Sequence, residues 1–251
     1  MSKNYDAVRR EIIRKFDKNI KGRSPIFLSS DDSNAGKEGD WLTRKMGLSK
    51  NGLNEPDYKG FEMKKHSSKI TFGYWSPDEA LYKSKLSKKD FLALFGSKKN
   101  GRYSWSGSVF PKVKEVTRGG QEIKVTAKGD IVILYSYSKD KRKNKSVLIR
   151  SEFQIDSLVL AKWSRSRLEN FIVNKYGEHG FFILIKNDDN IYVDILFGPP
   201  LNFNTFVFNF KKGIIFLDCG MVDGNNRQYM NFRATNDFWI KIAKKRKKII
   251  V

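Results

Sequence analysis

Apolar residues near the start of the chain recur every three or four positions, the spacing of an amphipathic helix. Within residues 5–20 the apolar side chains on one helical face are Ala7, Val8, Ile12, Ile13, Phe16 and Ile20. A polar turn over residues 29–39 precedes a second, shorter helix over residues 40–46, which ends at Gly47. The pattern therefore predicts two helices in the first fifty residues.

From residue 60 onward the pattern changes to short apolar runs bounded by polar turns, which favours strands. Residues 60–65 and 69–74 are predicted to form an antiparallel hairpin joined by His66, Ser67 and Ser68. Helices are predicted over residues 78–96 and 156–176, and a second hairpin from residues 131–138 and 146–153. Further strands are predicted over residues 180–186, 191–197, 205–210 and 213–218. The chain is thus predicted to be of the α/β class, mixed α+β, without internal repeats.

Composition narrows the kinds of partner that the protein can have. The 251 residues, 39% of them hydrophobic, suffice for one large domain or two lobes. A net charge of +22 indicates a polyanionic partner, with nucleic acid as the first candidate and an anionic membrane as the second. No apolar run approaches the length of a spanning helix, which weakens the membrane interpretation. The single cysteine, Cys219, and an N-terminus without a secretory apolar region predict a cytoplasmic location.

Candidate chemistry lies where a turn leads into the first predicted strand. Asp57 follows Pro56 in that turn, and Glu62 and Lys64 stand two residues apart on the strand, so they share one face. Two carboxylates and the carbonyl of Met63 form an oxygen-rich ligand set of the kind that Mg²⁺ prefers. Lys64 could then polarise the attacking water and offset charge on a phosphate. A solvated turn followed by an amphipathic surface strand gives the same pattern, so the motif alone leaves both interpretations open.

Few residues of the chain suit a zinc site or a cysteine nucleophile. With Cys219 alone and two histidines, His66 and His179, neither a zinc site nor a Cys/His nucleophilic pair is readily assembled. We therefore assign neither histidine a catalytic role.

Side chains suited to reading DNA gather near the C-terminus. The bidentate amide and guanidinium groups there belong to Asn225, Asn226, Arg227, Gln228 and Arg233. Such groups read adenine and guanine edges in the major groove, although a polar β-turn would have a similar composition. Arg102, Tyr103 and Trp105 are candidates for contacts with the DNA backbone or groove, and an aromatic loop packed on the core is the alternative for Trp105.

The arrangement of residues 34–77 resembles the PD-(D/E)XK nucleases, within them the branch that holds the restriction endonucleases MvaI and BcnI and the mismatch-repair nickase MutH. The similarity consists of an Ala-Gly-Lys turn, a short helix, the segments 56–58 and 61–64, His66, and residues 70–77. The five-residue step from Asp57 to Glu62 is similar to MvaI, whereas MutH has a longer one. A weaker similarity covers residues 214–218 and 225–233.

The resemblance implies a restriction-endonuclease-like core, with a mixed sheet flanked by helices and two lobes around a DNA cleft. The whole chain, residues 1–251, would then be one nuclease with a catalytic lobe around residues 34–77 and a recognition lobe including residues 200–235. Relatives carry an acid on the helix before the motif, and Asp40 lies nearest that position, with Glu38 as the competitor. An arginine in a similar Phe-Arg pair of the relatives makes Arg233 the favoured base reader.

The motif, the charge and this resemblance together predict a Mg²⁺-dependent type II restriction endonuclease that acts on a short site in double-stranded DNA, and the resemblance implies a monomer. A cognate DNA methyltransferase is the expected genetic partner, because an unprotected host genome would be cut. Two alternatives stay open: a MutH-like endonuclease that nicks one strand, and a basic nucleic-acid-binding protein without catalysis.

Overall fold

A computed structural model of the chain describes residues 3–25, 36–49, 53–225 and 228–247. Its α-helices are α1 (Lys3–Asn19), α2 (Lys37–Lys45), α3 (Leu81–Ser84), α4 (Lys88–Phe95), α5 (Lys145–Leu148), α6 (Arg165–Tyr176), α7 (Phe203–Lys211) and α8 (Asn236–Lys247). Its strands are β1 (Phe61–Lys65), β2 (Lys69–Tyr74), β3 (Glu79–Ala80), β4 (Ser97–Lys99), β5 (Arg102–Trp105), β6 (Gly119–Val125), β7 (Ile131–Asp140), β8 (Leu158–Trp163), β9 (Gly180–Lys186), β10 (Tyr192–Gly198), β11 (Ile215–Val222) and β12 (Tyr229–Thr235). The mixed α+β class predicted from the sequence is confirmed.

The chain divides into two compact units that interleave along the sequence. Unit 1 comprises Met1–Ile70, Phe171–Asn202 and Thr235–Val251, and unit 2 comprises Thr71–Asn170 and Phe203–Ala234. Each unit therefore draws on segments that are distant in sequence.

Unit 1 is built on a three-stranded sheet in the order β1-β9-β10. Strand β1 is parallel to β9, with Glu62 level with Phe181, and β10 is antiparallel to β9. Helices α1 and α2 cover one face of this sheet, where Phe16, Leu42 and Phe61 belong to one buried hydrophobic cluster. The apolar face predicted for the N-terminal helix is confirmed, because Val8, Ile12, Phe16 and Ile20 are all buried.

Unit 2 contains two sheets, of five strands in the order β2-β12-β11-β5-β4 and of four strands in the order β3-β8-β7-β6. Phe206 of α7 packs against Phe232 of β12 and Trp75, with ring centroids 5.4 and 5.9 Å away. These aromatic contacts form part of the core of the unit.

The predicted hairpin of residues 60–65 and 69–74 is wrong. Both strands exist, but β1 pairs with β9 and β2 pairs with β12, in different sheets. The local pattern identified each strand but not its partner. The partner of β1 is a parallel strand more than a hundred residues away, and the residues next to β1 carry no information about it.

Three other predictions fail for related reasons. Residues 146–153 contain α5 rather than a strand, because β7 takes β6 and β8 as its partners. The helix predicted over residues 156–176 begins only at Arg165, after strand β8. Residues 205–210 belong to helix α7, whose buried Phe203, Phe206 and Phe210 follow helical spacing while Phe208 is exposed. The phenylalanines at every second position of this segment produced the pattern of a strand.

Among the described residues, no helix is both long and apolar enough to cross a membrane.

Candidate active site

A tight turn folds the chain back immediately before β1. Tyr58 and Phe61 exchange both backbone hydrogen bonds, at 2.9 and 2.8 Å. The residues between them, Lys59 and Gly60, have φ angles of 43° and 84°. Positive φ at both central positions is typical of a type I′ turn, which joins adjacent antiparallel segments. The turn therefore brings Asp57 alongside β1.

The side chain of Asp57 is bound to the backbone of β1, on the edge of the strand that faces away from β9. Its Oδ2 accepts from the N–H of Met63 at 2.9 Å. Since the N–H and C=O of one strand residue point to the same side, the carbonyl of Met63 also faces this edge. The alternate residues face β9, as the His66 N–H shows by donating to the carbonyl of Leu184 at 3.1 Å. Asp57 and the Met63 carbonyl thus lie on one edge, as a shared ligand role requires.

Gly60 offers a test of this turn. A Cβ atom at Gly60 would lie 2.5 Å from Cδ of Glu178 and 2.8 Å from Cδ2 of His179, in addition to the strain of its positive φ. We expect Gly60→Ala to lower the free energy of unfolding by about 3 kcal/mol or more, measured by urea denaturation. Gly101→Ala is the matched control, because Gly101 has φ 77° in a similar turn but open space around it. It should cost only about 1 kcal/mol, and equal losses in the two variants would contradict the close packing at Gly60.

The two faces of β1 have different surroundings. Phe61 and Met63 point into the hydrophobic cluster beneath α1 and α2. Glu62 and Lys64 point to the opposite face, where Nζ of Lys64 lies 5.2 Å from the ring centroid of Tyr176 and 5.5 Å from that of Trp239. Alternation along the strand thus places the acid and the lysine together, as predicted, beneath aromatic rings of α6 and α8.

Glu62 is the centre of the buried group. The residue is 4% exposed and Lys64 is 7% exposed. Oε1 of Glu62 receives hydrogen bonds or ion pairs from two ammonium groups, Lys64 Nζ at 2.8 Å and Lys175 Nζ at 3.1 Å. Oε2 of Glu62 is buried and has no hydrogen-bond partner among the described residues. A buried carboxylate oxygen without a donor is costly, and a cation at this position would satisfy it.

Burial also changes the acid–base properties of the group. It raises the pKa of Glu62 to about 7, with the charge of Asp57 acting in the same direction, although Lys64 and Lys175 oppose the shift. Burial lowers the pKa of Lys64, and the nearby Lys175 adds to that effect, while Glu62 opposes it. A perturbed acid and a perturbed lysine in hydrogen-bond contact are typical of a functional site.

The donor set fits Mg²⁺. Two carboxylates and a backbone carbonyl are hard oxygen ligands, and the unsatisfied Oε2 of Glu62 supplies the position for a cation. Among the described residues, no three His, Cys, Asp or Glu side chains form a group that could hold a metal ion. The fit therefore rests on Asp57, Glu62 and the Met63 carbonyl.

Helix α2 carries the two acids that the sequence offers as a further metal ligand, Glu38 and Asp40. Glu38 accepts from Lys186 Nζ at 2.8 Å and Tyr192 Oη at 2.7 Å, and it pairs with Lys65 on the face of β1 opposite Glu62. Asp40 is in the first turn of the same helix, whose buried Trp41 and Leu42 enter the hydrophobic cluster. Asp40 as a metal ligand stays a prediction.

Lys175, Tyr176 and Trp239 are site residues that the sequence did not reveal. They lie more than a hundred residues after the motif, on α6 and α8. No local pattern distinguishes Lys175 from the other 48 basic residues of the chain. A basic residue next to a tyrosine at the end of a predicted helix was the one available signal, and it is too common to identify a site.

The described residues that were predicted to read DNA lie in unit 2, and Arg102, Tyr103 and Asn225 lie near the turn that follows β11. Arg102 donates to the carbonyl of Asp223 from Nε at 3.1 Å and from Nη2 at 2.6 Å, and the Asp223 N–H donates to the carbonyl of Tyr103 at 2.8 Å. Lys88 donates to the carbonyl of Asn225. These contacts bring Arg102, Tyr103 and Asn225 together. Asn226 and Arg227 lie outside the described residues.

Arg233 lies further along β12 and is partly exposed. Its Nε is 3.3 Å from Oδ2 of Asp218 on β11, and the two side chains are 30% and 40% exposed. Trp105, by contrast, is fully buried, and its Nε1 donates to Gln121 at 2.7 Å. Trp105 is therefore a core residue and not a DNA contact.

His66 and His179 are held by the fold. Nδ1 of His66 accepts from the N–H of Lys186 at 3.2 Å. His179 is buried against the rings of Tyr5 and Phe61, at centroid distances of 5.4 and 5.1 Å. Neither contact involves Glu62 or Asp57.

Comparison with known proteins gives two sequence matches. Residues 27–247 match the model of a family described as LlaMI restriction endonuclease. The chain is also 34% identical, over 255 residues, to the type II restriction enzyme ScrFI of Lactococcus lactis subsp. cremoris, and the match covers 91% of this chain and 94% of that enzyme.

Solved structures of restriction endonuclease MvaI share the fold. The complex of restriction endonuclease MvaI with its cognate DNA substrate matches with a TM-score of 0.61 and 14% identity, covering 96% of this chain and 97% of that one. MvaI in the absence of DNA matches with a TM-score of 0.51 and 15% identity, covering 96% of each chain. The resemblance in fold noted from the motif is thereby confirmed.

Proposed function

The chain belongs to the LlaMI restriction endonuclease family and is a type II restriction endonuclease, and we propose that it hydrolyses phosphodiester bonds at a short specific site in double-stranded DNA with Mg²⁺ as cofactor. The observation that carries the proposal is the buried Glu62, which pairs with Lys64 and has one oxygen without a hydrogen-bond partner among the described residues. A tight turn places Asp57 next to the same strand. A surface strand would leave these side chains in solvent.

In this proposal Asp57, Glu62 and the carbonyl of Met63 hold the metal. When bound, Mg²⁺ supplies Lewis-acid stabilisation of phosphate charge and promotes ionisation of the attacking water. Asp57 keeps its place because its Oδ2 is tied to the Met63 N–H. Lys64 contributes a positive charge in surroundings of low polarity, between aromatic rings, where it interacts strongly with the charge that develops on the phosphate.

Unit 2 is proposed to read the DNA sequence, through the exposed side of the β11–β12 hairpin. Arg233 is the favoured base reader, because its side chain is partly exposed and Asp218 lies within ion-pair distance, 3.3 Å from Nε. Asn225, Asn226 and Arg227 are proposed to read bases from the adjoining turn, with Arg102 and Tyr103 as contacts beside it. The excess of 22 positive charges would add attraction to phosphates that does not depend on sequence.

Arg233→Ala is expected to weaken binding to specific DNA by about 1 to 3 kcal/mol and to leave non-specific binding nearly intact. Fluorescence anisotropy with cognate and scrambled duplexes, in Ca²⁺ to prevent cleavage, measures both affinities. Arg150→Ala is the matched control, since Arg150 also pairs with an aspartate, Asp90 at 3.5 Å, on the surface of the same unit. A loss of equal size on both duplexes would make Arg233 a phosphate contact instead.

We also propose that the enzyme acts as a monomer in the cytoplasm and has a cognate DNA methyltransferase as genetic partner. The first experiment is incubation of the purified protein with plasmid and phage DNA, with Mg²⁺ or with chelator, followed by sequencing of fragment ends. Discrete metal-dependent fragments that share a short motif are the expected result. Single-strand nicks alone would favour the MutH-like alternative, and bound but intact DNA would contradict catalysis.

A further inference from the structure

Two lysines bind the same oxygen of Glu62. Lys64 Nζ lies 2.8 Å and Lys175 Nζ lies 3.1 Å from Oε1, and the side chains of Lys64, Lys175 and Glu62 are 8%, 14% and 5% exposed. One buried and one partly buried ammonium group on the same oxygen repel each other, so the arrangement is costly, and this cost favours a separate role for each lysine. The proposed function requires Lys64 alone and leaves Lys175 without a role.

The last turn of α6 holds Lys175 in a fixed place. The N–H of Gly177 donates to the carbonyl of Val173 at 2.7 Å, and the carbonyl of Tyr176 accepts from the N–H of Leu201 at 3.3 Å. The segment that follows is joined to the turn before β1, because the N–H of His179 donates to the carbonyl of Gly60 at 3.0 Å. Lys175 is thus anchored to the same turn that presents Asp57.

Lys64 Nζ lies on Oε1 of Glu62 at 2.8 Å, so any movement of this ammonium group toward the reacting phosphate weakens its hold on Glu62. If Lys64 turns to the attacking water or the phosphate, it gives up its bond to Oε1 of Glu62. Without another cation, Glu62 would then be a buried carboxylate with no ammonium partner, which is strongly unfavourable. In that state Lys175, 3.1 Å from Oε1, would still pair with this oxygen, and Oε2 would keep its place for a cation.

We infer that Lys175 is a positioning residue that holds Oε1 of Glu62 while Lys64 acts on the reacting phosphate. This inference rests on the proposed function of the same site. It predicts that either lysine can hold Oε1 of Glu62 in the resting enzyme and that both are required during cleavage.

The experiment compares Lys175→Met, Lys64→Met and the double variant with the wild type. Mn²⁺ binding to the DNA-free protein is measured by electron paramagnetic resonance, and cleavage of plasmid DNA is measured under single-turnover conditions with Mg²⁺. Lys241→Met, an exposed residue of α8, controls for the loss of one positive charge. Circular dichroism checks folding, and Lys175→Gln replaces Lys175→Met in the same comparison if the latter does not fold.

We expect Lys175→Met to bind Mn²⁺ nearly as well as the wild type and to cleave roughly 100-fold more slowly, because Glu62 is misplaced during the reaction. Lys64→Met should likewise keep Mn²⁺ binding. The double variant should lose roughly 10- to 100-fold in Mn²⁺ affinity, and Lys175→Arg should restore most of the cleavage. A purely structural role for Lys175 would not make the two lysines redundant in one assay and indispensable in the other.

Two results would overturn the inference alone: cleavage by Lys175→Met at the wild-type rate, or loss of Mn²⁺ binding in Lys175→Met by itself. A wild-type protein that neither binds Mn²⁺ nor cleaves DNA would overturn the proposed function and this inference with it.

Discussion

Asp57→Asn is expected to lower the rate of DNA cleavage by on the order of 1,000-fold while the protein stays folded and still binds specific DNA. The asparagine oxygen can still accept the hydrogen bond from the Met63 N–H, which Oδ2 of Asp57 accepts at 2.9 Å. The turn before β1 should therefore persist, and only one negative charge is lost from the metal site. Asp57→Ala should be equally inactive but should also lose this hydrogen bond.

Single-turnover cleavage with Mg²⁺ and anisotropy with Ca²⁺ separate the two effects of Asp57→Asn. Asp17→Asn is the control, because it removes an exposed carboxylate that pairs with Lys21 on the surface of the same unit. If Asp57→Asn loses DNA binding or unfolds, and cleavage falls only as much as binding or folding does, the result would count against a metal-ligand role.

Glu62→Gln is expected to reduce cleavage by a similar factor, on the order of 1,000-fold, and to change how metal binding depends on pH. Burial raises the pKa of Glu62 to about 7, so in the wild type a proton must leave this carboxyl before a metal ion can bind. The affinity of the wild type for Mn²⁺ should therefore fall as the pH drops below about 7 and level off above it. Glu62→Gln has no such proton to lose, so its affinity should be weak at every pH.

Calorimetric titration of the DNA-free protein with Mn²⁺ across this pH range measures the effect directly. Asp57→Asn provides the comparison: it retains Glu62, so its weaker affinity should still rise with pH, but at lower pH than in the wild type, because the charge of Asp57 helps to raise the pKa of Glu62. A wild-type affinity that does not change through neutral pH would show that Glu62 is ionised throughout and that the lysines, rather than burial, determine its charge.

The core of the site was predictable because it is local. Asp57, Glu62 and Lys64 fall within eight consecutive residues, and alternation along a strand places Glu62 and Lys64 on one face whatever the strand pairs with. Asp57 joins them through a turn that Lys59 and Gly60 form by themselves, with both φ angles positive. Such short-range geometry follows directly from residue order.

The environment of the site was not predictable in this way. The pairing of β1 with β9 brings up the α6–β9 segment, and with it Lys175 and Tyr176, from more than a hundred residues away. The sequence instead suggested β2 as the partner of β1, because the two strands are consecutive and joined by a short polar segment. The alternating phenylalanines of α7 led to a wrong strand prediction for a similar reason. A short apolar run fits both the two-residue period of a strand and the period of a helix, and only its packing decides between them.

By itself the sequence determined the motif, the mixed α+β class and the excess of positive charge, because each depends on residue type and spacing over short distances. The tertiary structure alone decided that Glu62 and Lys64 are buried, that Lys175 shares Oε1 of Glu62, and that Glu38 is occupied on the opposite face of β1. The reason is physical: burial, and the shift in the pKa of Glu62 that burial causes, depend on which distant segments pack over a strand, and no local pattern encodes that choice.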